Sequence, residues 1–203
     1  DEQIRYNGAV IGASSCLGTT GIKFVVINPE TGKYWLSYPN RYNYGNTHCQ
    51  SYEIGAFDFS TKDSASRYLI KKFIDTIPDG YYVAAISHSY FNPESFEEWL
   101  YNAFETLGAY KLRTLTNKRA YIIFGKKGSV PGEALEVVAD SACQVITLES
   151  SFITKWYEGN INSEIIGPGK QWKSLHWRYN SLEEPTKDEV RISLSGIKKD
   201  NTT

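Results

Sequence analysis

"LIKKFIDTIPDGYYVAAIS", residues 69–87, contains the change of period that decides the fold. Leu69, Phe73 and Ile77, with Ile70 and Ile74, fall on one stripe of a 3.6-residue helix, and Ala65 extends the stripe backwards. Pro78, Asp79 and Gly80 stop that helix. "YYVAAIS" then runs apolar for the length of a strand rather than a helix, so it reads as a buried strand.

Upstream, "GIKFVVINPETGKYWLSY" (21–38) reads as two strands, Gly21 to Ile27 and Tyr34 to Tyr38, joined by the turn residues "NPETG". A Tyr- and Asn-rich loop from Pro39 to Gln50 leads to a strand through Ile54 to Phe59, and Ser60 or Thr61 is placed to cap the helix. Downstream, Asn92 and Pro93 open a second helix whose buried face is Phe96, Trp99, Leu100, Ala103, Phe104 and Leu107, with Gly108 closing it. The strand Ala120 to Phe124 follows and enters "GKKG". Beyond Ser129 the pattern turns to short apolar runs, Val137 to Ser150, Phe152 to Tyr157 and Val190 to Leu194, interrupted by "IIGPGKQW". This division gives an N-terminal segment (1–19), a domain (20–139) and a β-rich tail (140–203) that leads to or docks on another domain.

The 203 residues are 41% hydrophobic and 22% charged, ordinary values for a globular chain with a real core. Lys and Arg (22) nearly balance Asp and Glu (23), so no overall field favours nucleic acid or an anionic membrane. No apolar run reaches the roughly 18 residues of a membrane span. The chain begins at Asp1 and has no methionine, which reads as a processed or excised piece. Cys16, Cys49 and Cys143 have no metal-ligand spacing. Two readings fit them: three buried thiols, or a Cys16–Cys49 disulfide that leaves Cys143 free.

Motifs for catalysis are missing. The Gly125–Gly128 turn fails as a phosphate loop, because Ala120 stands where the first glycine would be and Lys127 where Ser or Thr would be. A small anion nest between Gly125 and Gly128 is the residual alternative to an ordinary turn. His48, His88 and His176 lie in separate segments. His88 follows a buried strand between Ser87 and Ser89, which suits either a structural histidine or a hydrolase lacking an evident carboxylate. Glu97 and Glu98 are expected as solvent charges. No cofactor and no metal is expected.

The densest feature is aromatic. Tyr34, Trp35, Tyr38, Tyr42, Tyr44 and Tyr52 alternate with Asn40, Asn43, Asn46 and His48. Aromatic faces beside amide donors suit sugar rings and protein interfaces. Covering a sheet edge is the plainer use. Only Arg41 adds charge there, which disfavours RNA.

The order of "GIKFVVINPETGKYW", "LIKKFIDTIPDGYYVAAIS", "EEWLYNAFETLGAY" and "KRAYIIFGKKG" resembles the interleukin-like EMT inducer (ILEI) domain over about residues 20 to 130. That family includes the pancreatic-derived factor and the stem domain of an O-mannose N-acetylglucosaminyltransferase. The resemblance implies an α+β fold, a compact β/α sandwich with two helices packed on mainly antiparallel sheets and a β-rich C-terminal extension. It also implies an extracellular or lumenal setting and no catalytic site. In the stem domain an Asp after the central strand and an Arg further on bind sugar. The matching positions here are His88 and Lys118, an imidazole for a carboxylate and an amine for a guanidinium, followed by Arg119 and Tyr121. "IIGPGKQWKSLHWRYNSLEEP" is similar to the segment after such domains in secreted Bacteroidetes proteins, including gingipain-like peptidases of the type IX secretion system.

These readings converge on a non-enzymatic binding or assembly module of a secreted or cell-surface protein. Its expected ligand residues are Tyr38, Tyr42, Tyr44, His88, Lys118 and Arg119, with Trp172 and Trp177 as the contact for a protein partner. A glycan is the other candidate ligand; nucleic acid and a membrane span are not expected. The alternatives are a structural spacer of a larger type IX-secreted peptidase-like protein, or a secreted signalling factor. A hydrolase built on His88 with Ser87 or Ser89 is the catalytic competitor.

Overall fold

The computed structural model describes residues 3–12, 21–39, 44–88, 91–142, 144–152, 164, 166, 171, 173–178 and 190–194. By contacts the chain divides into two units, Asp1–Gly159 and Asn160–Thr203. In the first, β1 (Ile4–Tyr6) and β2 (Ala9–Gly12) form an antiparallel hairpin. A five-stranded sheet follows from β3 (Gly21–Ile27), β4 (Phe57–Ser60), β5 (Tyr82–His88), β6 (Tyr121–Lys126) and β7 (Leu135–Val138). Its strand order is β4-β3-β5-β6-β7, and every neighbouring pair is antiparallel. Two helices, α1 (Ser64–Thr76) and α2 (Glu98–Glu105), complete an α+β fold.

All seven residues of β3 are buried, so both faces of the sheet are covered. On one face Ile22, Phe24, Phe57, Phe59, Val83 and Ile123 meet Ile70, Phe73 and Ile74 of α1 and Leu100 and Phe104 of α2. Phe73 is the hub, with ring centroids 5.5 Å from Phe24 and 5.0 Å from both Phe57 and Phe59. On the opposite face Val25 and Ile27 pack with Ile11 and Ala56 and with the partly buried Tyr6, Tyr82 and Phe152.

Helix α1 starts later than Ser60 or Thr61: the Asp63 carboxylate caps it by accepting from Ser66 N at 2.8 Å. The buried stripe is Ile70, Phe73 and Ile74, whereas Ala65 is exposed. The second helix is broken. Pro93–Ser95 makes a 3-10 turn, Asn92 contributes no side-chain cap, and the α-helix proper begins at Glu98. Glu97 is not a solvent charge. Its carboxylate takes two 2.8 Å hydrogen bonds from Arg67, a buried residue of α1 whose Nη1 also donates to Thr61 O at 3.0 Å. This fork ties the two helices together.

The expected strand Tyr34 to Tyr38 is reduced to single bridges, Ile27↔Tyr34 and Ser37↔Ile54. The run Val137 to Ser150 yields only β7; residues 144–152 have no strand pairing. The first unit nevertheless runs to Gly159 instead of stopping near Ala139, because Phe152 packs back on Tyr82 with centroids 4.4 Å apart. In the second unit the described residues have no helix or strand, Val190 to Leu194 included. No helix among the described residues is long and apolar enough to cross a membrane.

Candidate functional site

Side-chain alternation sends Lys23, Asp58 and His88 to the same sheet face, away from the helices. The register pairs Lys23 with Asp58 and Gly21 with His88, which gathers the three at the end of the sheet where β5 finishes. Each is about 2% exposed or less. Asp58 Oδ1 lies 3.8 Å from Lys23 Nζ and 3.6 Å from His88 Nε2, too far for a direct hydrogen bond in either case. Burial pushes the Asp58 carboxyl up to about 6, and the Lys23 ammonium recovers only part of that shift. The sequence reading missed Lys23 and Asp58. The available signal was a charge placed inside each of two otherwise apolar strands.

A hydrolase reading of His88 calls for an orienting carboxylate and a serine. Asp58 is the carboxylate. Ser87 points to the other face, where its Oγ accepts the Tyr121 N–H at 2.9 Å, and Ser89 lies outside the described residues.

His88, Lys118 and Arg119 are brought together. All three line one cavity of about 1340 Å³ between this sheet face, the β1 strand and residues 144–152. Its floor is aliphatic and aromatic: Val25, Ile27, Ala84, Ile86, Ile122 and Phe124. Two cations border one end. Lys118 is exposed and has φ 65°, a left-handed backbone that costs a side-chain-bearing residue energy, while its N–H is fixed on Phe91 O at 2.9 Å. Arg119 Nη1 donates to Ala139 O at 3.1 Å and to Asp140 O.

The aromatic loop does not join this cavity. Tyr44 is half-buried, 5.2 Å from Phe73 and 5.7 Å from Phe57 between centroids, and Trp35 stacks on it at 6.0 Å. Asn46 and His48 are buried against Ser37, at 3.0 Å and 3.1 Å. Thr47 N donates to Asp58 O at 2.7 Å, so this segment closes the β4 edge of the sheet. Tyr38 is half-buried, Tyr52 is exposed, and Tyr42 lies outside the described residues.

The Gly125–Gly128 turn offers no anion nest. Lys127 N–H is spent on Tyr81 O at 2.9 Å, Gly128 N–H on Thr106 O at 2.8 Å, and Ser129 N–H on Lys126 O at 3.1 Å. Cys49 is disulfide-bonded, which removes the reading of three free thiols; Cys16 and Cys143 lie outside the described residues. Trp177 is half-exposed in the second unit, and Trp172 lies outside the described residues.

The profile of the interleukin-like EMT inducer family matches residues 20–129, more than half of the chain. The matched stretch carries His88, Lys118 and Arg119 but neither the β1–β2 hairpin nor residues 144–152. No curated protein matches the chain significantly.

Proposed function

This chain belongs to the interleukin-like EMT inducer family, and from that premise we propose that it is a non-enzymatic binding module of a secreted protein, recognising a protein partner through the cavity beside His88. The observation that carries this reading is the convergence of His88, Lys118 and Arg119 on an apolar-floored groove. Such a floor takes aliphatic side chains, and the two cations at its end take a carboxylate, so the fitting ligand is an extended peptide segment with apolar and acidic residues. A glycan would need aromatic platforms and amide donors, and Tyr44, Trp35 and Asn46 turn inward. The disulfide at Cys49 accords with an extracellular setting.

Selection from a displayed peptide library on the whole chain, beside a glycan array, tests this. Acidic-aliphatic peptides should emerge and lose at least about tenfold in affinity with Lys118→Glu and Arg119→Glu, a charge-assisted hydrogen bond being worth about 1.5–3 kcal/mol. Peptides indifferent to both changes would remove the groove from the account. A glycan selectively lost in those variants would make carbohydrate the ligand instead.

A second reading, a spacer docked in a larger type IX-secreted surface assembly, is favoured by the half-exposed Trp177. It requires that Trp177→Ala weaken association with a neighbouring polypeptide while the domain stays folded.

A further inference from the structure

The cavity beside His88 has a wall made of the chain's own extended segment. Residues 144–152 line it throughout, yet among the described residues no backbone hydrogen bond joins Val145–Phe152 to the sheet. The segment alternates as a strand would: Ile146 and Leu148 are half-buried, while Val145, Thr147 and Glu149 are exposed. Val145 is 90% exposed, so this side of the segment meets solvent. One aromatic anchor holds the far end. The Phe152 ring sits 4.4 Å from Tyr82, 5.6 Å from Phe124 and 6.0 Å from Tyr6.

The near end is held by Arg119, through Ala139 O and Asp140 O, and by the Gln144 side chain, whose Oε1 accepts the Asp140 N–H at 2.5 Å. Arg119 is also one of the two cations facing the groove. An anionic group entering there competes with the two carbonyls for one guanidinium, and a carboxylate is the stronger acceptor. Strand pairing would have locked the segment down with a ladder of backbone bonds; side-chain packing alone leaves it on the weakly held end of the stability range.

We propose that residues 144–152 are an autoinhibitory strap, an internal peptide that occupies the apolar face until a ligand carboxylate draws Arg119 off the strap's root. This rests on the groove being the recognition site. The strap lies outside the residues shared with the family, so it is a control that this chain adds to the common domain. Binding and strap release are then one equilibrium, and the measured affinity is lowered by the fraction of molecules with the strap in place.

The probe is 1-anilinonaphthalene-8-sulfonate, an apolar ring system with one anionic group, titrated onto the whole chain. Phe152→Ala removes the anchor, and Leu148→Ala provides a second, milder release that leaves the aromatic cluster intact. Both should bind the dye more tightly than the parent, Phe152→Ala by about tenfold, since aromatic pairs contribute about 0.5–1.5 kcal/mol beyond area burial and a tenfold change is 1.4 kcal/mol. Thermal unfolding must stay cooperative in both variants. Adding Lys118→Glu should cancel the gain. Dye binding that is charge-sensitive in the parent but unchanged by either release keeps the groove and overturns the strap. A gain that Lys118→Glu leaves untouched places the dye elsewhere and overturns the groove reading together with the strap.

Discussion

His88 Nε2 faces Asp58 Oδ1 across 3.6 Å in a part of the sheet closed to solvent, with the Asp58 carboxyl poised near pH 6. Because the folded state holds this proton more tightly than the unfolded state, the sign is fixed. Asp58 contributes stability that is fully present below its ordinary 3.8 and is lost as pH rises through about 6. Urea unfolding of the parent and Asp58→Asn should show the variant gaining about 3 kcal/mol on the parent between pH 4 and 6, from 1.36 kcal/mol per unit. A constant difference over that interval would mean that Asp58 keeps its charge in the fold throughout.

The opposite sign holds at Glu97, which the Arg67 fork lowers to about 2. Its contribution is present above the ordinary 4.5 and is lost as pH falls toward 2. Glu97→Gln should cost about 2 kcal/mol near neutrality, the scale of a charge-assisted pair left with one member. The gap should close in acid. Equal stability of the two proteins at pH 7 would reduce the fork to a surface ion pair.

Tyr44→Ala should destabilise the domain by about 3 kcal/mol, the cost of a large side chain cut from a packed aromatic cluster. Calorimetry reads this directly. An unchanged melting temperature would return Tyr44 to the surface and reopen the loop as a ligand platform.

Gly125 admits no side chain. A Cβ there would stand 2.0 Å from Leu107 O, a backbone atom that cannot rotate away. Gly125→Ala should therefore cost about 3 kcal/mol or prevent folding, and refolding yield together with circular dichroism distinguishes those results from a neutral change.

Lys118→Gly should do the reverse for stability. Glycine adopts positive φ without the penalty of about 1 kcal/mol that a side chain meets, so the variant should melt higher while peptide binding at the groove falls. A lower melting temperature would show that the Lys118 side chain holds the turn.

The elements were legible where period and punctuation agree. The stripe through Ile70, Phe73 and Ile74, the Pro78–Gly80 stop and the buried strand after it are local facts, and the ILEI resemblance placed them in an antiparallel α+β arrangement. What escaped is non-local. Arg67 looks like a polar interruption of the stripe until its partner Glu97, thirty residues on, is brought beside it. Lys23 and Asp58 face each other only because the β3–β4 register pairs them. Tyr44 has the composition of a binding loop and the position of a core residue, and composition carries no direction. His88, Lys118 and Arg119 were singled out through family positions, and the groove that joins them depends on a strap whose apolar run reads as one more strand.

The two ends of the sheet differ in kind. At the end where β5 begins, Gly80 N–H binds Lys127 O, Lys127 N–H binds Tyr81 O and Gly128 N–H binds Thr106 O, so the α1–β5 turn, the end of α2 and the β6–β7 turn are stitched by main chain alone. Main-chain stitching is indifferent to side-chain identity. Substitutions at that pole change little provided the glycines remain, whereas the opposite pole meets solvent through Lys118 and Arg119. Chemistry at the open pole can therefore be rewritten residue by residue while the sealed pole keeps the fold in register.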